Sequence, residues 1–133
     1  MKWAYCVACA AALSLLVGGL AGCSADAPPA EPAPTGPEIE RALAELAVDP
    51  AEIDLAAGEA SYNRYCFSCH ASGVAGAPRV GDRTAWTPRA AKGLDALVAA
   101  SIAGVPPGMP PMGLCMSCEE REMRDTVAWM LVQ

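Results

Sequence analysis

Three stretches of this chain cannot form a regular helix or a sheet ladder: SADAPPAEPAPTGP (24–37), ASGVAGAPRVGD (71–82) and GVPPGMPPMG (104–113). Proline removes a backbone donor and fixes φ, while glycine loses the most entropy on ordering. Between these breaks the apolar residues recur at helical spacing, and no alternating run is long enough for a strand. In PEIERALAELAVD, Ile39, Leu43, Leu46 and Ala47 form one face, bounded by Pro37 and Pro50. A second helix is expected from about Ile53 to Cys66, with Leu55, Tyr62, Tyr65 and Cys66 as its apolar positions. A third is expected over Leu94–Ala103 and a fourth from about Cys118 to the end. For the fourth, Ser117 can cap and Glu120 can complete a capping box, with Glu119 and Glu122 favouring the same end. Met123, Val127, Met130 and Leu131 supply its apolar face. The expected fold is all-α, with long loops.

The core of such a fold would be thin. Beyond residue 37 the aromatic residues are Phe67, Tyr62, Tyr65, Trp86 and Trp129, and alanine is abundant. A small domain of this composition needs a staple or a cofactor to supply missing apolar volume. Long loops in a compact domain usually wrap something or carry function.

The N-terminus indicates the compartment. Met-Lys-Trp leads into an apolar run that ends in Leu20-Ala21-Gly22-Cys23, small residues before a cleavage point. This is the pattern of a secretory leader over residues 1–22; an uncleaved anchor is the other reading. LAGC resembles the lipobox of bacterial lipoproteins, which implies acylation of Cys23 as the new N-terminus. Residues 23–37 then form a Pro/Ala-rich linker, and residues 38–133 the folded domain. At about 3.1 Å per residue the proline-rich part can span roughly 40 Å. The formal net charge is −6. Residues 23–58 carry eight acids against Arg41 alone, and residues 59–133 carry seven acids and seven bases. No basic face is available to neutralise phosphates, so a nucleic-acid partner is not expected. Cys6 and Cys9 fall within the leader. An oxidising compartment permits Cys115 and Cys118 to be paired. A thiol–disulfide redox site is the other reading of that pair, although no βαβ pattern surrounds it.

His70 is the only histidine, and it directly follows a C-x-x-C. Cys66-Phe67-Ser68-Cys69-His70 is the attachment motif of c-type haem. Two thiols three residues apart can add to the two vinyl groups of one porphyrin, and the next imidazole then binds the iron from one face. A zinc site would need further ligands, for which only Cys115 and Cys118 remain. With a single imidazole, the sixth iron ligand must be a methionine, another weak donor or nothing. Met123 and Met130 lie seven apart on the last helix and are assigned to the core. Met116 lies between the last two cysteines. Met109 and Met112 share the proline-stiffened GMPPMG, and spacing alone does not choose between them.

Three segments carry a family resemblance: AGEASYNRYCFSCHASGVAGAPRVGD (57–82), AWTPRAAKG (85–93) and GMPPMGLCMSCEEREMRDTVAWML (108–131). The chain resembles a class I bacterial cytochrome c and is most similar to the cytochrome c5 group. The resemblance implies the class I fold, with helices and long loops around one covalent haem c. It implies Met109 as axial ligand, a Cys115–Cys118 disulfide, and the Pro78 carbonyl as acceptor for the proximal imidazole. It pairs Gly58 with Trp129 at a close helix crossing, and places Trp86 and Arg89 toward the haem propionates. The lipobox, the linker and Met112, where the group often has a polar residue, depart from the pattern.

The expected function is electron transfer rather than enzymatic turnover. Donor and acceptor would be redox proteins, and Cys23 would tether the chain to the periplasmic face of a bacterial membrane. Two alternatives stand: a haem subunit of a larger redox complex, and a gas- or peroxide-binding haem with a labile methionine.

Overall fold

The computed structural model describes residues 32–133. The leader 1–22, Cys23 and most of the linker lie outside the described residues. Among the described residues six α-helices follow one another: α1 (Gly36–Glu45), α2 (Leu55–Ser61), α3 (Phe67–His70), α4 (Arg83–Ala90), α5 (Leu94–Ala103) and α6 (Glu120–Leu131). A π turn, Tyr62–Cys66, joins α2 to α3 without a break. The one β-feature among the described residues is an isolated antiparallel bridge between Val105 and Met109.

α1 begins at Gly36, slightly ahead of the expected Glu38. The Glu38 carboxylate reaches back and accepts hydrogen bonds from the Thr35 N–H and hydroxyl, each at 2.7 Å. Those bonds, the backbone one first, hold its carboxyl below the usual carboxylate value. At the other end, Ala47 turns left-handed at φ 56. The Val48 N–H then bonds the Leu43 carbonyl at 3.0 Å and the Ala47 N–H bonds Ala44 at 3.0 Å. This is a Schellman closure, and it brings Val48 back onto Leu43 in the core.

α5 spans the residues expected for it. Gly93 and Gly104, at φ 84 and 80, mark its limits. α4 was not expected: its apolar face is weak and Pro88 lies inside it. Asp82 starts it by accepting from the Ala85 N–H at 3.0 Å. α6 begins later than expected, and Ser117 does not cap it; Glu119 holds the cap position. The reason is the Cys115–Cys118 turn, closed by the disulfide and by the Cys118 N–H on Cys115 O at 3.1 Å, which consumes the preceding residues.

α1, α5 and α6 enclose a dry core of Leu43, Val48, Leu94, Val98, Met123, Val127, Ala128 and Val132. α2 crosses α6 at Gly58, where any Cβ would lie 2.3 Å from the Asp125 carbonyl oxygen. Asp125 is itself buried, and its carboxylate accepts the Asp54 N–H at 3.0 Å, which ties α6 to the start of α2. Beside this crossing the Tyr62 and Trp129 rings lie 4.6 Å apart. These contacts set the angle at which the segment carrying Cys66 to His70 leaves the scaffold.

Candidate haem site

A cavity of about 370 Å³ adjoins the core, which shares Met123 and Val127 with its wall. Cys66, Cys69 and His70 form one wall and the 74–78 loop another. α4 contributes Trp86 and Arg89, α5 contributes Leu97 and Ser101, and α6 contributes Met123, Thr126, Val127 and Met130. Met109 comes from the proline-rich loop.

His70 is buried, and its Nδ1 lies 2.8 Å from the Pro78 carbonyl oxygen. A carbonyl can only accept, so Nδ1 carries the proton and Nε2 keeps a free lone pair. The Val80 N–H bonds His70 O at 2.9 Å, and the Trp86 indole N–H donates to Arg79 O at 2.7 Å. Three successive residues, 78–80, therefore fix the ring, its backbone and the neighbouring indole. The His70 and Trp86 rings are 6.2 Å apart and tilted by 30°.

Cys66 and Cys69 are half-buried and free of any disulfide. Burial pushes the Cys66 thiol up to about 11, with the Cys69 charge adding to the effect.

Met109 lines the cavity, and its backbone is held by two 2.9 Å bonds with Val105, one in each direction. Met112 turns away: at φ 58 its backbone is left-handed, and its side chain packs on the dry core. Met116 is 76% exposed. Met123 and Met130 are buried, as core residues should be, and they also line the cavity. Trp86 and Arg89 are at the cavity wall, with Trp86 bonded to Arg79 O and the Arg89 guanidinium bonded to Ala85 O.

The zinc alternative finds no support among the described residues. The single metal-capable cluster there is Cys115, Cys118 and Glu122, whose sulfurs are joined as a disulfide and which does not include His70.

Sequence reasoning missed the far wall. Leu97 and Ser101 lie four apart on α5, and so do Thr126 and Met130 on α6. Those i,i+4 stripes are the signal that could have found them. Thr126 satisfies its hydroxyl on Glu122 O at 2.7 Å and so presents little unpaired polarity to the cavity.

The donor set fits a covalently attached haem: two unpaired thiols, an imidazole with one nitrogen held and one free, and a thioether, all on one mainly apolar cavity. Fold and site together define a class I c-type cytochrome. Comparison with known proteins agrees. The family described as cytochrome c oxidase, cbb3-type, subunit III matches residues 53–130. Cytochrome c5 of Ectopseudomonas mendocina is 42% identical over 69 residues, covering 50% of this chain and 78% of that protein. Cytochrome c-555 of Chlorobaculum tepidum is 41% identical over 83 residues, covering 60% of this chain and 77% of that protein. A solved cytochrome c, from an electron transfer complex with nitrite reductase, aligns with a TM-score of 0.55 at 46% identity, over 59% of this chain and 94% of its own. The chain belongs to the class I c-type cytochromes, close to the c5 group, and carries one covalent c-type haem.

Proposed function

We propose that this protein is a membrane-tethered electron carrier whose haem iron is held between His70 and Met109. Electron transfer by a c-type haem is the property of its family. Cys66 and Cys69 carry the thioether links. The observation that carries the ligand assignment is the His70–Pro78 bond, which commits Nδ1 and leaves Nε2 as the one imidazole donor on a cavity that Met109 also lines. The bound haem supplies a one-electron ferric–ferrous couple. The protein's part is to keep that couple dry and rigid: buried Met123, Val127 and Met130 exclude water, and residues 78–80 hold the imidazole in one orientation. A thioether ligand favours the ferrous state relative to a second imidazole. Trp86 and Arg89 stand at the cavity wall and are assigned to the propionate side.

Tethering rests on the leader at 1–22, the lipobox cysteine Cys23 and the proline-rich linker, and it places the domain on the periplasmic face. Among the described residues no helix is long and apolar enough to cross a membrane. The partners are redox proteins. Exposed Val74, Val105 and Leu114 at the cavity mouth give them an apolar surface to meet. A second reading, a haem subunit of a larger redox complex, is favoured by the family match to an oxidase subunit.

Low-spin ferric iron with a weak sulfur-to-iron band at the red end is the expected spectrum. Met109→Ala should abolish that band, lower the potential and open the iron to external ligands, while Met112→Ala should cost only packing. A high-spin wild type, or a band that survives Met109→Ala, would overturn the assignment. Mass spectrometry should find an acylated Cys23 as the first residue; an intact Met1–Gly22 would overturn the lipid anchor and favour an uncleaved apolar one. Co-purification of a stable partner in mild detergent would favour the subunit reading over the free carrier.

A further inference from the structure

We propose that Gly108 is a positioning residue for Met109: its close contact with Ala75 clasps the loop that carries Met109 to the loop that follows His70. The inference rests on the proposed ligation by Met109 and concerns how that side chain is held.

The Met109 loop is fastened at its base. Val105 and Met109 exchange two backbone hydrogen bonds of 2.9 Å around the Pro106-Pro107-Gly108 tip. Gly104 begins the loop at φ 80, and a Cβ there would lie 2.7 Å from Pro111 N and 2.9 Å from Met109 O. Gly104 is therefore glycine for two reasons, conformation and space. Gly108 differs. It is not among the glycines with positive φ, so no left-handed conformation demands glycine there. Only space forbids a side chain: a Cβ on Gly108 would lie 2.8 Å from the Ala75 carbonyl oxygen and 3.3 Å from the Ala75 Cβ.

Ala75 belongs to the segment that follows His70. It is held left-handed, at φ 52 and ψ 27, although it is not glycine. Such a conformation persists only where the surroundings enforce it. Its carbonyl faces Gly108, and both residues line the cavity mouth. The segment that begins at His70 and the segment that ends at Met109 thus meet backbone to backbone at one point. A methyl group at 108 would drive them apart, and Met109 would move with its loop.

The test uses the haem-loaded protein. In Gly108→Ala the Met109 amide, bonded to Val105 O at 2.9 Å, should lose hydrogen-exchange protection. Imidazole should bind the ferric iron about tenfold faster or more, the size expected for overpacking a tight backbone contact. Gly36→Ala, where nothing lies within 4 Å, should leave both measurements unchanged. Wild-type exchange and imidazole rates in Gly108→Ala would overturn the proposal. Should that variant fail to fold, the wild type still decides. The Met109 amide and the Ala77 amide, bonded to Val74 O at 3.0 Å, should open together as one unit. Exchange rates that differ by more than about tenfold would overturn the clasp. The ligand reading has its own control. If Met109→Ala binds imidazole no faster than wild type, the ligation fails, and amide exchange still reports on Gly108.

Discussion

Cys66/Cys69 and Cys115/Cys118 have the same spacing and opposite fates. The first pair lies where the π turn runs into α3 and is not joined to itself. The second lies in a turn ahead of α6 and is joined, with its Cα atoms 5.4 Å apart. Successive helical residues rotate by about 100°, so side chains three apart lie side by side on one face, about 60° apart, where both can reach a third group. In the 115–118 turn the chain folds back on itself, and the two Cβ atoms face each other as a disulfide requires. The backbone, and not the interval in sequence, decides whether two thiols meet each other or meet a third group.

Replacing both members of the first pair should have the largest effect. In Cys66→Ala/Cys69→Ala the covalent link goes, and acid–acetone extraction of a denatured sample should carry all colour into the solvent. Colour retained on the protein would break the distinction between the pairs. Next comes Gly58→Ala, at the crossing of the two helices adjoining the two pairs. A Cβ 2.3 Å from a backbone oxygen cannot be relieved by a rotamer change, and the loss should be about 3 kcal/mol in denaturant unfolding. A loss under about 1 kcal/mol would mean that the crossing is not tight.

Opening the second pair should cost less and leave the haem alone. Cys115→Ser/Cys118→Ser should lose about 2 kcal/mol, the entropy of closing so short a loop, with covalent haem content unchanged. Lost haem in that variant would make the pairs interdependent. The smallest effect is expected at Ser61, which donates to the Glu122 carboxylate at 2.5 Å across the same crossing. Ser61→Ala should cost about 1 kcal/mol, because half-buried Glu122 keeps access to water. A double-mutant cycle with Glu122→Gln would measure the coupling directly.

What could be read in advance follows the same division. α5 was legible to its limits because glycine stands at both ends and all but Asp95 and Ser101 between them are apolar. The C-x-x-C-H motif was legible because its chemistry depends on local spacing. α4 was not, since neither an apolar stripe nor the absence of proline marks it, and only Asp82 at its cap gives it away. Ser117 and Glu120 have the form of a capping box, yet the neighbouring disulfide turn takes Ser117 out of the helix. Which of Met109 and Met112 lines the cavity could not be read either. It depends on one left-handed residue, Met112 at φ 58, which turns that side chain back onto the core. Tertiary packing sets such a conformation, and no pattern in GMPPMG announces it.

The π turn at Tyr62–Cys66 works as a change of gear. Its mark is the Phe67 N–H bonding to Tyr62 O, five residues back rather than four. Before it, Gly58 and Ser61 mesh with α6; after it, Cys69 and His70 face the cavity. An unbroken α-helix would keep one phase throughout, and residues 58 and 69, eleven apart, would fall within about 20° of the same face. Cys69 would then be aimed into the Gly58 crossing. One residue too many in a single turn lets one rod serve two directions. The length of Tyr62–Cys66 is therefore under tighter constraint than its composition: most single side-chain changes there alter packing, whereas removing one residue would rotate the whole attachment motif off its target.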